Sequence, residues 1–403
     1  MDAAVTFDVD REEMCSWRHA LHRHPELGFE EYETSELVRK LLVSWGYEVT
    51  VGIAGTGLVG VLKFNPGPLR LGIRAEMDAL PIQEATGLPW ASEVPGKMHA
   101  CGHDGHTTML LGAAKALAKQ RDAGVDWHGT LHLIFQPAEE LGGGGGARRM
   151  IDEGLFERFP CDMVFAMHNH PTGETGRFYL REGAFMASSD KVKIRFKGRG
   201  GHGALPHLAV DPVVAAANTV VALQSVVARN VDPFEAAVVT VGQLHAGNMY
   251  NIIPETAEME LSVRALHPGV RDTLEKRIRE IAHGQAQAAG LACEIEYERG
   301  YPVLVNTPKE TRLATRAARR VAGESGVDGD ATPLCASEDF AYMLQERPGC
   351  YVMIGNGDNG FAAGARIGAC SVHNPGFDFN DDCLAPGARM WVCLAEEFFA
   401  AKV

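Results

Sequence analysis

Two hydrophobic rhythms run along this sequence, one nested inside the other. In the outer one, apolar runs of strand length alternate with stretches of helical spacing. Gly57 to Phe64, Leu71 to Arg74, Thr130 to Phe135 and Asp162 to Met167 read as strands, and Arg11 to His22, Glu31 to Trp45 and Thr107 to Gln120 as helices. Such β-α alternation predicts a mostly parallel sheet with helices on both faces, and ligands then bind beyond the carboxyl ends of the strands. The inner rhythm starts at Lys191 to Lys197, where Val192, Ile194 and Phe196 share one side. Asp211 followed by Pro212 signals the start of a helix running to about Arg229. Ala237 to Gln243 and Ala257 to Ala265 read as strands, Val270 to Ala289 as a helix, and Cys293 to Tyr297 as a closing strand. This β-α-β-β-α-β order is the split unit of ferredoxin-like domains, and its one-sided alternation suits an antiparallel sheet covered on one face.

After about Asn306 the outer rhythm returns, with a helix from Glu310 to Ala322, a strand from Cys350 to Ile354 and a last helix from Pro386 to Ala401. A chain of 403 residues exceeds what one core usually serves. The expected fold class is therefore α/β, with residues 1–188 and 303–403 forming a discontinuous domain and residues 189–302 an inserted ferredoxin-like α+β domain.

Composition narrows the function classes. Thirty-eight basic against 52 acidic residues give a net charge of −14, which argues against nucleic acid as a partner. The start, MDAAVTFDVD, lacks a basic segment followed by an apolar run, so no signal peptide is expected. Apolar stretches such as Val213 to Val221 are too short to span a bilayer, so no membrane partner is expected. Nine cysteines, an odd number without framework spacing, fit a reducing compartment and a cytoplasmic location.

The chemistry-bearing residues cluster after strands. His99-Ala100-Cys101-Gly102-His103-Asp104-Gly105-His106 packs three histidines, a cysteine and an aspartate into a loop-to-helix junction. Thiolate and imidazole are good ligands for zinc and similar ions, and no second pair follows at zinc-finger spacing. Gln136-Pro137-Ala138-Glu139-Glu140 follows an apolar strand, where paired carboxylates can divide metal binding from proton transfer. Met167-His168-Asn169-His170, Val372-His373-Asn374-Pro375 and Arg74-Ala75-Glu76-Met77-Asp78 complete the set. Any one of these has a bland reading as a solvated or packing residue. Together they supply the four to six ligands, plus a spare carboxylate, that a dinuclear hydrolase needs.

Met77-Asp78-Ala79-Leu80-Pro81, the His99 to His106 run, Phe135 to Glu140, His168 and Ser337-Glu338-Asp339-Phe340 resemble the M20 metallopeptidase family. Within it they resemble the hippurate hydrolase, aminoacylase and auxin-conjugate hydrolase branch. The likeness extends from His24-Pro25-Glu26-Leu27-Gly28 to the final helix. It implies a dinuclear metal-dependent amidohydrolase that cleaves N-acyl amino acids to a carboxylate and a free amino acid. Cys101, His103, Glu140, His168 and His373 would hold two divalent ions, with Cys101 between them. Glu139 would be the general base toward a metal-activated water, and Asp78 would orient the metal site. The inserted domain would be a lid and dimerisation domain. In it, His202 of Gly200-Gly201-His202-Gly203 would polarise the scissile carbonyl, and Asn251 and Arg264 would contact the substrate carboxylate. Zinc or manganese is the expected metal, with cobalt or nickel open. The expected partners are a small-molecule substrate and a second copy of the chain in a homodimer or higher homo-oligomer. A dipeptidase or an aromatic-amine aminohydrolase of the same fold is the nearest alternative. A thiol hydrolase with Cys101 as nucleophile and a non-catalytic binding protein are alternatives of other classes.

Overall fold

The computed structural model describes residues 10–357 and 370–400. The stretch Asp358 to Cys370, which runs just before His373, lies outside them apart from Cys370. So do the first nine residues and Ala401. The chain divides into two compact units: Met1–Gly183 with Val305–Thr332 and Tyr342–Val403, and Ala184–Leu304 with Pro333–Ala341. The second unit is wider than the expected residues 189–302, and residues 333–341 do not stay with the first domain. The reason is a backbone tie, because the N–H of Ala187 donates to the carbonyl oxygens of Leu334 at 3.0 Å and Ala336 at 2.9 Å.

The first unit is built on an eight-stranded sheet. Its central strands Asn65–Glu76, His128–Gln136, Met163–His170 and Gly349–Gly355 run parallel. Gly349–Gly355 is buried at every position, as expected of a strand covered on both faces. At one edge Gly57–Lys63 and Glu48–Ile53 add on antiparallel. At the other, Phe178–Tyr179 pairs antiparallel with Gly349–Gly355, and Val327–Asp328 pairs parallel with Phe178–Tyr179. Helices Arg11–Arg23, His103–Asp122 and Leu384–Phe399 contribute Met14, Leu110, Leu117 and Trp391 to one core with Leu71, Leu131 and Val352 of the sheet. The first of these helices starts where its sequence says it should. Asp10 caps it by accepting from the Glu12 N–H at 2.9 Å, and Glu12 and Glu13 complement the helix dipole.

The second unit holds a four-stranded antiparallel sheet in the order Ala237–Ala246, Thr256–Ala265, Asp190–Lys197, Ala292–Arg299. Val192, Ile194 and Phe196 point into its core with Met259, Leu261 and Val263, while the Lys and Arg residues between them face out. Leu223 and Val226 of helix Pro212–Asn230 and Leu274 and Ile278 of helix Pro268–Ala289 close that core. Asp211 caps the first of these helices by accepting from the Val213 N–H at 2.8 Å. Pro212–Asn230 is long and apolar enough to cross a membrane by length and composition, but its inner side packs on this sheet.

Candidate metal centre

The parallel strands of the first unit end on one side of the sheet, and their ends carry the polar residues. Asn65–Glu76 leads into Asp78, His128–Gln136 into Glu139 and Glu140, and Met163–His170 contains His168. Helix His103–Asp122 begins at His103, and Cys101 lies in the loop before it. Gly102 makes this entry possible with φ +95°. A Cβ there would stand 2.3 Å from Asn169 Oδ1, so only glycine fits. His373 also has positive φ, +64°, and its N–H donates to the Ala100 carbonyl oxygen at 2.7 Å, which brings the far end of the chain to the Cys101 loop.

The result is a dense donor cluster. Cys101, His103 and His168 form one triad whose ligand atoms lie within 4.8 Å of one another, and Cys101, Glu140 and His373 form a second. Cys101 belongs to both. Cys101 Sγ is 3.2 Å from His168 Nε2, and His373 Nε2 is 3.0 Å from Glu140 Oε1. Glu139 joins Glu140 and His103 in a further triad, and Glu76 joins His103 and His106 in another.

The orientation of each ligand is fixed from behind. A carbonyl oxygen can only accept, so His103 Nδ1, 2.8 Å from the Asp78 carbonyl, carries the proton there. That leaves His103 Nε2 buried without a hydrogen-bond partner, and it is the atom that a cation would take in place of a proton. His168 Nδ1 donates to the Asn169 carbonyl at 2.7 Å and leaves Nε2 facing Cys101 in the same way. Asp78 Oδ1 lies 3.2 Å from His103 Nδ1, and Asp78 Oδ2 accepts from the Glu140 N–H at 2.9 Å. One buried carboxylate therefore ties together two of the donor-bearing segments.

The electrostatics call for positive charge. Burial disfavours the charged form of His103, but the bond and charge of Asp78, with Glu76 and Glu140, outweigh it and raise its pKa to about 10. Burial, with Glu140 and Glu139 nearby, pushes the Cys101 thiol up. Burial, then His106, pushes His168 well down. Burial works against the Asp78 carboxylate, but His103 and the backbone N–H groups of Glu140 and Glu139 hold it below its ordinary value. An unpaired imidazole nitrogen, a thiol and carboxylates converging in a buried pocket fit a divalent metal pair by donor chemistry.

Seven of the residues singled out from the sequence, Asp78, Cys101, His103, Glu139, Glu140, His168 and His373, are thus assembled in the first unit. The other three are in the second. His202 faces Ile252 across the two-stranded pairing of Gly201–His202 with Ile252–Ile253, next to Asn251, whose carbonyl accepts from the Gly203 N–H at 2.8 Å. Both side chains are exposed. Arg264 is half-buried on strand Thr256–Ala265. Its Nη1 donates to Ser337 Oγ at 2.9 Å, and burial lowers its pKa.

Sequence reading missed a buried layer behind the donors. Arg18 and His22, from the first helix, both reach Asp104 beside His103: Arg18 Nε donates to Asp104 Oδ2 at 2.9 Å, and His22 Nδ1 lies 2.7 Å from the same oxygen. Glu76, which the sequence reading did single out with Arg74, pairs with Arg74 in this layer and contacts His106 at 3.2 Å. Glu31 meets the turn before Glu139. Asp104 sits inside the motif and was within reach. Arg18 and Glu31 carry no local signal, since a charged residue on or before an amphipathic helix normally faces water.

The model of the peptidase family M20/M25/M40 matches residues 72–397. The chain is 45% identical over 381 residues to a hippurate hydrolase of Campylobacter jejuni, covering 94% of this chain and 95% of that one. It is 35% identical to an N-acetyl-L-cysteine deacetylase of Bacillus subtilis, covering 94% of this chain and 86% of the relative. Among solved structures it resembles a dinuclear metal-binding peptidase from the M20 family of Bacillus subtilis, with a TM-score of 0.84, 31% identity and coverage of 99% and 100%. With most of its length matched by the family model and nearly all of it aligned to these relatives, the chain belongs to the M20/M25/M40 peptidase family.

Proposed function

We propose that the chain is a metal-dependent amidohydrolase of N-acyl amino acids of the hippurate or N-acetyl type. The observation that carries the reading is the pair of donor triads sharing Cys101, with Glu139 beside them. The relatives named above act on substrates of this class by name. Cys101, His103, Glu140, His168 and His373 would hold two divalent ions. Zinc suits the thiolate and imidazoles, and manganese suits the carboxylates. When bound, such ions polarise an amide carbonyl and make a water acidic enough to ionise near neutral pH.

The chain's own groups do the rest. A carboxylate oxygen of Glu139 takes the proton from the attacking water and returns it to the amine nitrogen as the C–N bond breaks and the new C–O bond forms. Asp78 keeps His103 in the tautomer that presents Nε2. The family resemblance assigns His202 to the developing oxyanion, and Asn251 and Arg264 to the substrate carboxylate, and we carry these roles over as part of the proposal. Arg264 suits this task because, among the described residues, no carboxylate forms an ion pair with it. The place of Cys101 in both donor triads weighs against a thiol nucleophile, since a ligand's sulfur lone pairs are engaged.

The test is hydrolysis of benzoylglycine and N-acetyl amino acids before and after metal stripping. Metal-dependent release of free amino acid supports the reading. Intact substrates after metal restoration would overturn it and favour dipeptides or aromatic amines.

We also read the second unit as a dimerisation domain. Ala237–Ala246 is an edge strand, and Val214 and Val221 on the neighbouring helix are exposed. A light-scattering mass of two chains checks this. Nine unpaired cysteines support a cytoplasmic location, which cell fractionation tests.

A further inference from the structure

Between strand His128–Gln136 and the helical turn Glu139–Leu141 the backbone makes a turn at Ala138. Its φ is +54°, a left-handed conformation that costs an L residue roughly 1–2 kcal/mol. Ala138 is fully buried, so its amide needs a partner inside the protein. Glu31 supplies it. Glu31 Oε1 accepts from the Ala138 N–H at 2.8 Å, and Thr56 Oγ1 donates to Oε2 of the same carboxylate. Two residues on, Asp78 accepts from the Glu140 N–H at 2.9 Å. Glu139 thus sits between two amides, each gripped by a buried carboxylate. The turn is closed from outside as well. The Gly146 N–H donates to the Ala138 carbonyl at 3.0 Å, and a Cβ on Gly146 would stand 1.8 Å from the Pro137 carbonyl oxygen.

Glu31 is an expensive way to satisfy one amide. It is fully buried, its hydrogen-bond donors (the Thr56 hydroxyl and the backbone N–H groups of Ala138 and Glu31 itself) are neutral, and burial pushes its carboxyl up to about 7. Among the described residues no cation offsets it the way His103 offsets Asp78. An apolar residue with a water could fill such a place at less cost to folding. What the carboxylate adds is a fixed direction for the Ala138 amide, and therefore for the residue after it.

We propose that Glu31 is a positioning residue for catalysis, holding the left-handed turn at Ala138 so that the Glu139 carboxylate meets its proton donor in register. The proposal rests on the reading of Glu139 as the base. Displacing a catalytic group by about 1 Å costs on the order of a hundredfold in rate.

The test compares full-length, metal-replete Glu31→Ala, Glu31→Gln, the double variant Glu31→Ala with Ala138→Gly, and Glu139→Gln on benzoylglycine. Glu31→Ala should lower kcat by tenfold or more, with KM within about threefold and the metal content per chain unchanged. Glu31→Gln keeps an oxygen to accept from Ala138 and should restore most of that loss. The double variant should restore part of it, because glycine adopts the left-handed turn without a Cβ penalty. Wild-type kcat in Glu31→Ala overturns the proposal, as does a loss that neither Gln nor Gly recovers. Should Glu31→Ala fail to fold, Glu31→Asp, which draws the carboxylate back by one methylene, carries the test, and wild-type kcat there overturns it. If Glu139→Gln keeps its rate, the reading of the base falls and the role of Glu31 falls with it. If Glu139→Gln is inactive while the Glu31 variants run at full rate, only the positioning role is lost.

Discussion

Glu139 and its neighbour Glu140 are chemically identical and are assigned opposite tasks. Glu140 reaches His373 and shares a triad with Cys101, and Glu139 does not. Glu139→Ala should therefore retain metal and lose turnover by at least a hundredfold, whereas Glu140→Ala should lose metal first; elemental analysis beside initial rates separates the two. His22 makes a second residue-scale prediction. Burial opposes its charge, but Asp104 and Glu84 outweigh burial and raise its pKa from 6.5 to about 9. A folded value above the unfolded one means the stabilisation is fully present below pH 6.5 and is lost as pH rises through about 9. His22→Ala should cost about 3 kcal/mol at pH 6. The gap to wild type should narrow at pH 9.5, as read by denaturant unfolding at both values. The donors themselves could be read from the sequence because cysteine and histidine at strand ends have few uses other than binding. Their supports could not. Glu31 in a Glu-Glu pair and Arg18 on a helix look like surface charge until the fold buries them.

At the level of elements, the helix His103–Asp122 is the axle of the site. Its first turn carries His103 and Asp104, and Gly105 presses against Phe379, where a Cβ would come within 2.4 Å of the ring. Gly105→Ala improves helix propensity by about 1 kcal/mol. It should nonetheless destabilise the first unit by roughly 1–3 kcal/mol through overpacking and weaken metal binding. Thermal unfolding and metal titration of that variant check both effects. The same helix shows where sequence reading stopped short. Apolar periodicity placed its start at Thr107, four residues late, because the first turn is made of polar residues that are buried for binding rather than for packing. The edge strand Glu48–Ile53 escaped notice for the opposite reason, being half exposed and without a clear alternation. The central strands and the β-α-β-β-α-β unit were plain because their apolar patterns are complete.

For the whole molecule, the donors contributed by Cys101, His103, Glu140, His168 and His373 all belong to the first unit. Metal at a thousand times its dissociation constant adds about 4 kcal/mol to the folded state. Stripping it should lower the melting temperature of that unit by roughly 10 °C and leave the transition of the second unit unmoved; calorimetry with and without a chelator reads both. The order of strands has a further consequence for how the protein comes into being. Gly349–Gly355 lies inside the sheet, between Met163–His170 and Phe178–Tyr179, and the donor His373 follows it. A ribosome that has released the first 340 residues has made most of the sheet, yet the exposed flank of Met163–His170 still waits for its partner. The insertion is complete by then but for Ala341 and can fold on its own schedule. Maturation therefore runs from inside to outside of the sequence: the nested unit can close first, and the metal-binding one closes only when translation is nearly over.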